Sequence, residues 1–339
     1  MLRARLTAQL LAGPPARDPV AVAERLLAVQ GQDPRGARLA VRARSEGLTA
    51  ADVDRALTEE RSLLITWLNR GTLHLVRSED YPWLQALTTP PLLTQSSRRL
   101  AQEGVPPEDA ERAIAEVERS LAADGALNRD QLRERVDTIG VRTARQALVH
   151  ILFAASLRGL IVRGPMVDAK HTFVLVKDWL GEPKPVDRDK ALAELAHRYL
   201  AGHGPASDRD LARWAGLPLR DSLAALSAIA SEIEDSGDDL VDLRGRPEPA
   251  ELPQPRLLGP YDPLLLGWTS REFVLGKHQE LVTVNGLFRP FALVKGHAAA
   301  SWSMPRGEVA LEPFGRLAKA DAAALDAEAA DVERFLGVP

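Results

Sequence analysis

The sequence contains no cysteine, which excludes a disulfide-stapled scaffold, a thiolate nucleophile, cysteine-ligated zinc and an iron–sulfur cluster. Its seven histidines never fall at metal-ligand spacing, so no metal or other cofactor is expected. No Gly-rich loop ends in Gly-Lys-Ser or Gly-Lys-Thr, and no Gly-x-Ser-x-Gly elbow is present, which removes the usual nucleotide-hydrolysing and α/β-hydrolase readings. Long apolar runs are also lacking, and the stretch MLRARLTAQLLAG is too short and too broken by arginine for a secretory signal. A cytoplasmic protein without membrane contact is expected. A net charge of −4 and a pI of about 6.0 rule out a globally basic nucleic-acid coat, so any basic surface is local.

What is present is a chain of 339 residues, 45% hydrophobic and 27% charged, enough for roughly two to four domains with sizeable cores. Lysine is scarce: seven of the 43 basic residues, leaving 36 arginines. The charge is segregated. Residues 1–50 carry eight arginines against Asp18, Glu24, Asp33 and Glu46, whereas residues 231–251 carry eight acids against Arg244 and Arg246.

Internal similarity organises the middle of the chain. Leu121, Ala122, Gly125, Asn128 and Leu132 recur 79 residues later as Leu200, Ala201, Gly204, Ser207 and Leu211. Each copy reads as an amphipathic helix ending at a glycine turn, a second helix capped by Asn128 or Ser207, a third helix and a β-hairpin. That is the order of a winged helix. A diverged copy precedes them: Asp18-Pro19 starts a helix, Thr49 caps another, and LLITWLNRGTLHLV alternates as a hairpin. In the first full copy, Arg142, Arg145, Gln146 and His150 fall on or beside the third helix, and Arg163, Lys170 and His171 near the wing, types suited to phosphate and guanine. After the Pro-rich RPEPAELPQP, short strands with turns at Asn285-Gly286, Lys295-Gly296 and Pro305-Arg306-Gly307 predict a β-barrel, and an alanine-rich helix closes the chain.

One short element has unusual chemistry. The helix from Pro19 is expected to run through LLAVQ and stop at Gly31 and Pro34, leaving Gln30 and Gln32 flanking a glycine where two amides converge. Amides that cap carbonyls are the structural alternative. Asp33 is expected to act as a cap or ion pair.

The segments VQGQDPRGARLAVRAR, TWLNRGTLHLV, YDPLLLGW and LFRP resemble the winged-helix DNA glycosylases of the AlkZ and AlkX type, over essentially the entire chain. The resemblance implies a mainly α fold with β: three tandem winged-helix domains, at residues 1–90, 91–185 and 186–250, then a C-terminal β-barrel with a terminal helix at 251–339, in a C-shaped DNA-binding architecture. It implies a monomeric, monofunctional enzyme that hydrolyses the N-glycosidic bond of N7-alkylated purines in double-stranded DNA and unhooks interstrand crosslinks, in repair or antibiotic self-resistance. Gln30 and Gln32 match its catalytic motif, with Gly31 where an aliphatic residue is usual. Arg35, Arg38 and Arg70 are implied DNA contacts. A groove-entering hairpin at 273–288 would present Lys277, His278, Gln279 and Asn285. Trp67 and His74, from the same run as Arg70, are expected in the core. A non-catalytic winged-helix DNA-binding protein or regulator is the alternative.

Overall fold

The computed structural model describes residues 1–167, 170–182 and 185–337. The fold is mixed α and β, about half of it helical, and the chain divides into two compact units, Leu57–Ala191 and the combination of Met1–Ala56 with Leu192–Pro339.

Leu57–Ala191 holds the first full copy of the repeat. Its helix Pro107–Asp124 ends at Gly125 (φ 75°), and Asn128 then accepts from the amides of Asp130 and Gln131 while Gln131 bonds back to the Asn128 amide. This reciprocal cap starts the helix Arg129–Thr138 where the sequence predicts it. The helix Ala147–Leu157 is apolar nearly all round, as befits a helix buried in a core. The hairpin Ile161–Val167 with Lys170–Leu175 follows, and its second strand pairs with Leu127–Asn128. Residues 168–169 lie outside the described residues. Leu121, Leu132, Ile151, Ile161 and Phe173 join one core, against which Trp67 packs. Trp67 also stands edge-on to Phe153. A separate hairpin, Leu63–Leu68 with Thr72–Arg77, turns through Asn69–Gly71.

The other unit holds the second copy, on a smaller scale. Ser207 caps Asp208–Ala215 with the same reciprocal box, Asp210 replacing Gln131, and the hairpin shrinks to Ile233–Asp235 and Val241–Leu243. The third strand survives as a single bridge between Ala206 and Val241.

The expected barrel is not what the described residues form. Arg256–Leu258, Phe291–Val294, His297–Ser303 and Ala310–Pro313 make an open four-stranded antiparallel sheet. Lys295 (φ 52°) and Gly296 (φ 83°) provide its two-residue turn, both with the positive φ that matches strand twist. The end of the sheet is covered instead of closed: the helix Lys319–Leu336 buries Leu325, Val332 and Phe335, and Glu328 accepts from the Leu257 amide and Arg256.

Candidate active site

Gln30 and Gln32 do not sit at a helix end. The helix Pro19–Leu26 stops four residues earlier than expected, because Leu27 takes φ 63°, ψ −48°, and Val29–Gln30 form a short strand. No glycine marks that break, so the sequence does not show it. Gln30 is buried and Gln32 exposed, with Gln30 Nε2 donating to Gln32 Oε1 at 3.4 Å. The amide inventory leaves Gln30 Oε1 to accept and Gln32 Nε2 to donate to a third group. The backbone of Gly31 lies outside the left-handed region.

Asp33 is the cap of the next helix, Pro34–Arg42: its carboxylate accepts from Gly36 N at 2.7 Å. This Asp-Pro start recurs at Asp18-Pro19 and Asp262-Pro263, each with Pro in the first helical turn. Gly36 is required by packing, since a Cβ there would lie 2.5 Å from the Pro260 carbonyl oxygen. The loop carrying YDPLLLGW therefore crosses the start of this helix directly. Arg44 fixes it: its guanidinium donates to both oxygens of Asp262 at 2.8 and 2.9 Å, to Gln9 and to Ala40, and both partners of the ion pair are fully buried. Every guanidinium nitrogen is satisfied, which is what makes such a buried pair tolerable.

The same loop delivers Tyr261, which sequence reasoning did not single out. It holds a left-handed backbone (φ 59°) and stands close enough to Asp33 that burial and the carboxylate raise its phenol pKa. The repeated Asp-Pro signal marked the turn, but nothing local marked its neighbour across 228 residues.

The basic excess of residues 1–50 is largely neutralised by distant acids. Arg42 pairs with Glu328 and Asp331, Arg44 with Asp262 and Arg3 with Glu251, while Arg17 pairs within the region, with Glu46. Arg38 turns onto Asp54, with Nε at 2.9 Å and Nη2 closer, and onto the Pro34 carbonyl. Arg35 is exposed, its Nη1 3.9 Å from Met304 Sδ.

In the other unit, Arg70 occupies the hairpin turn at φ 45°, half-buried. His74 on the return strand is fully buried, its Nδ1 at 2.9 Å from the Thr72 carbonyl, and burial with Arg70 pushes its pKa down to about 3. It is neutral, in keeping with a core residue.

The expected groove-entering hairpin at 273–288 is shorter than predicted. Glu272–Leu275 is helical and Gln279–Leu281 a 3-10 turn, so Lys277 and His278 lie between helices. Lys277 is exposed, while His278 stacks on Phe314 and pairs with Glu280. Gln279 donates to the Gly276 carbonyl. A narrow hairpin does follow: Val282 bridges Phe288, Arg289 N bonds Leu281 O, and Asn285 with Gly286 forms the tip, flanked by exposed Val284 and Leu287. Among the described residues no three His, Asp or Glu side chains converge on a metal position.

A family model for the DNA glycosylase AlkZ-like proteins matches residues 23–335. The chain is 31% identical over 346 residues to an interstrand DNA cross-link repair glycosylase of Streptomyces sahachiroi, covering 94% of this chain and 90% of that protein. The solved structure of the Streptomyces sahachiroi DNA glycosylase AlkZ superposes with a TM-score of 0.81 at 27% identity, over 99% of this chain and 96% of that one. The chain belongs to the AlkZ-like DNA glycosylase family.

Proposed function

We propose that this DNA glycosylase excises N7-alkylated purines from double-stranded DNA, and unhooks interstrand crosslinks through the same lesion chemistry, as a cytoplasmic monomer. The observation that carries the reading is the coupled amide pair: one buried glutamine and one exposed glutamine joined at 3.4 Å. N7-alkylation leaves the purine positively charged, so the base departs with the C1′–N9 bonding pair, becomes neutral and needs no general acid. Water then bonds to C1′ and releases its proton to solvent. What the protein must supply is placement and acceptors for a cationic sugar. Gln30 Oε1 accepts from the water, and Gln30 and Gln32 together hold that water against the deoxyribose. Asp33, engaged as a helix cap, and Tyr261 hold the turn beneath them. The crosslink activity is supported by the name of the Streptomyces relative.

The DNA-binding architecture belongs to the same proposal: winged helices at 1–90, 91–185 and 186–250 and a β module at 251–339. The repeated reciprocal caps and hairpins support it. Arg35 and Arg70 contact backbone, Arg38 adds charge while holding its helix to Asp54, and Lys277 and His278 flank the narrow 282–288 hairpin that enters the groove. The test is base release from duplex containing N7-methylguanine. Gln30→Ala and Gln32→Ala are each expected to slow single-turnover release by about 100-fold with melting temperature little changed. No release by the wild-type protein from N7-methylguanine or crosslinked duplex, or full rates in both variants, overturns the reading.

A further inference from the structure

Arg163 lies on the first strand of the hairpin in Leu57–Ala191, directly across from Phe173, which pairs in turn with Leu127. Alternation places it on the same face as Ile161, so its aliphatic stem covers the edge of a core containing Ile161, Phe173 and Leu127. Immediately after it the strand bulges at Gly164 and Pro165, where a Cβ on residue 164 would meet Val174 at 2.6 Å. A bulge at this point re-aims the neighbouring side chain. The guanidinium arrives half-buried, its Nε has no hydrogen-bond partner, and burial together with Arg129 pushes its pKa down to about 10.

The Arg129 charge thus reaches Arg163, and among the described residues nothing bonds the Arg163 Nε. Arg129 is exposed at the first position of its helix, whose free amides are already occupied by Asn128. Asp130, which also feels the Arg129 charge, is bonded to Lys170 at 2.9 Å and lies 3.5 Å from Arg133. Arg133 follows Arg129 by four residues on the same helix face and lines a cleft of about 680 Å³ with Arg142 and Arg145. A half-buried, unpaired cation is costly in a folded protein unless an anion completes it. The equivalent place in the second copy supplies the contrast: the residue 79 positions after Arg129 is Asp208, and the residue across from Val241, as Arg163 is from Phe173, is Asp235.

We propose that Arg163 and Arg129 form a phosphate-binding clamp for the backbone of duplex DNA, continued along the helix face by Arg133 toward Arg142 and Arg145. The clamp is sequence-independent and separate from the glutamine pair; it rests on duplex DNA being the substrate, not on the catalytic assignment. The guanidinium planes bond one phosphate from two sides, and counterion release makes the contact salt-dependent.

The test is equilibrium binding of undamaged duplex across a salt series. Arg163→Met, which keeps the stem on Phe173, and Arg129→Gln are each expected to weaken binding roughly 10-fold at low salt, equally on unrelated sequences. Each also lowers the slope of log K against log salt by about one. Arg163→Lys retains the slope. An unchanged slope in the folded double variant overturns the clamp. So does a sulfate-dependent rise in melting temperature that vanishes in the double variant while the DNA slope stays at the wild-type value, which assigns the pair to a free anion. Because undamaged DNA is used, loss of base release in the glutamine variants bears only on the catalytic reading.

Discussion

The two full copies of the repeated unit share a backbone plan and differ in nearly everything their surfaces offer. Asn128 and Ser207 cap their helices by the same reciprocal bonds, and Leu127 across from Phe173 corresponds to Ala206 across from Val241. Yet the first hairpin carries Arg163, Lys170 and His171, while the second carries Glu234, Asp235, Asp238, Asp239 and Asp242. The difference teaches that caps, glycines and buried alternation specify the shared order of helices and hairpin, whereas the role of each copy is written in residues that the plan leaves unconstrained. Near a polyanion the two copies act in opposite senses.

The glycine shared by both copies is the sharpest place to break the correspondence. Gly125 ends its helix at φ 75° with open space around it, so only its backbone needs glycine. In the second copy a Cβ on Gly204 would lie 2.0 Å from the Asp242 carboxylate and 2.9 Å from the Leu200 carbonyl oxygen. Gly204→Ala is therefore expected to cost about 3 kcal/mol or more, by overpacking and by displacing Asp242 from its ion pair with Arg246. Gly125→Ala should cost about 1 to 2 kcal/mol, from the left-handed backbone alone. Denaturant unfolding of the two variants measures both, and equal losses would show that the shared spacing has one cause instead of two.

Much of this plan is legible in the sequence because its causes are local. Asp18, Asn128 and Ser207 announce their caps, Lys295-Gly296 its turn, and the 79-residue repeat its core positions. Three things are not legible. The break at Leu27 uses a non-glycine residue in a left-handed conformation, so the helix reads on toward Gln30. Arg44 reads as part of a basic, DNA-facing region but is satisfied by Asp262, 218 residues away. The β module reads as a barrel because alternation identifies strands without saying whether the two outer ones meet. Gln30 and Gln32 are visible by motif, whereas Tyr261, though it opens the YDPLLLGW segment, gives no sign there of its place beside Asp33.

Acid stability sharpens the comparison at a second pair of positions. His203 and Asp124 are 79 residues apart. Asp124 is exposed and pairs with Arg135, but His203 is fully buried, stacked on Tyr199 and edged by Trp214 and Trp268. Burial pushes the His203 pKa down to about 3, helped by Arg44, Arg246 and Arg5. The folded pKa lies below the unfolded value of about 6.5, so the unfolded state binds the extra proton. Stability is complete above pH 6.5 and is lost as pH falls toward 3, by as much as about 1.4 kcal/mol per pH unit from this group. His203→Phe should remove one proton's worth of that slope, and His74 will retain its own. Asp124→Asn should change stability by less than about 1 kcal/mol. A full acid slope in His203→Phe would mean that the histidine is already charged in the fold.

The smallest expected effect asks whether charge alone separates the copies. If they share a backbone plan and differ in what it presents, Asp208→Arg with Asp235→Arg should give the second copy the cations that Arg129 and Arg163 give the first. Binding to undamaged duplex is then expected to tighten only a few-fold at low salt, because the added charges are screened within about 10 Å at 0.1 M ionic strength. The salt slope should rise by less than one per substitution, since the short hairpin Ile233–Asp235 lacks the bulge that aims Arg163 beside its partner. An increase as large as the loss seen in the Arg163→Met and Arg129→Gln variants would show that any two cations at these register positions suffice. No increase at all would place the second copy out of reach of the phosphates, and its acidity would then reflect freedom from the DNA instead of repulsion by it.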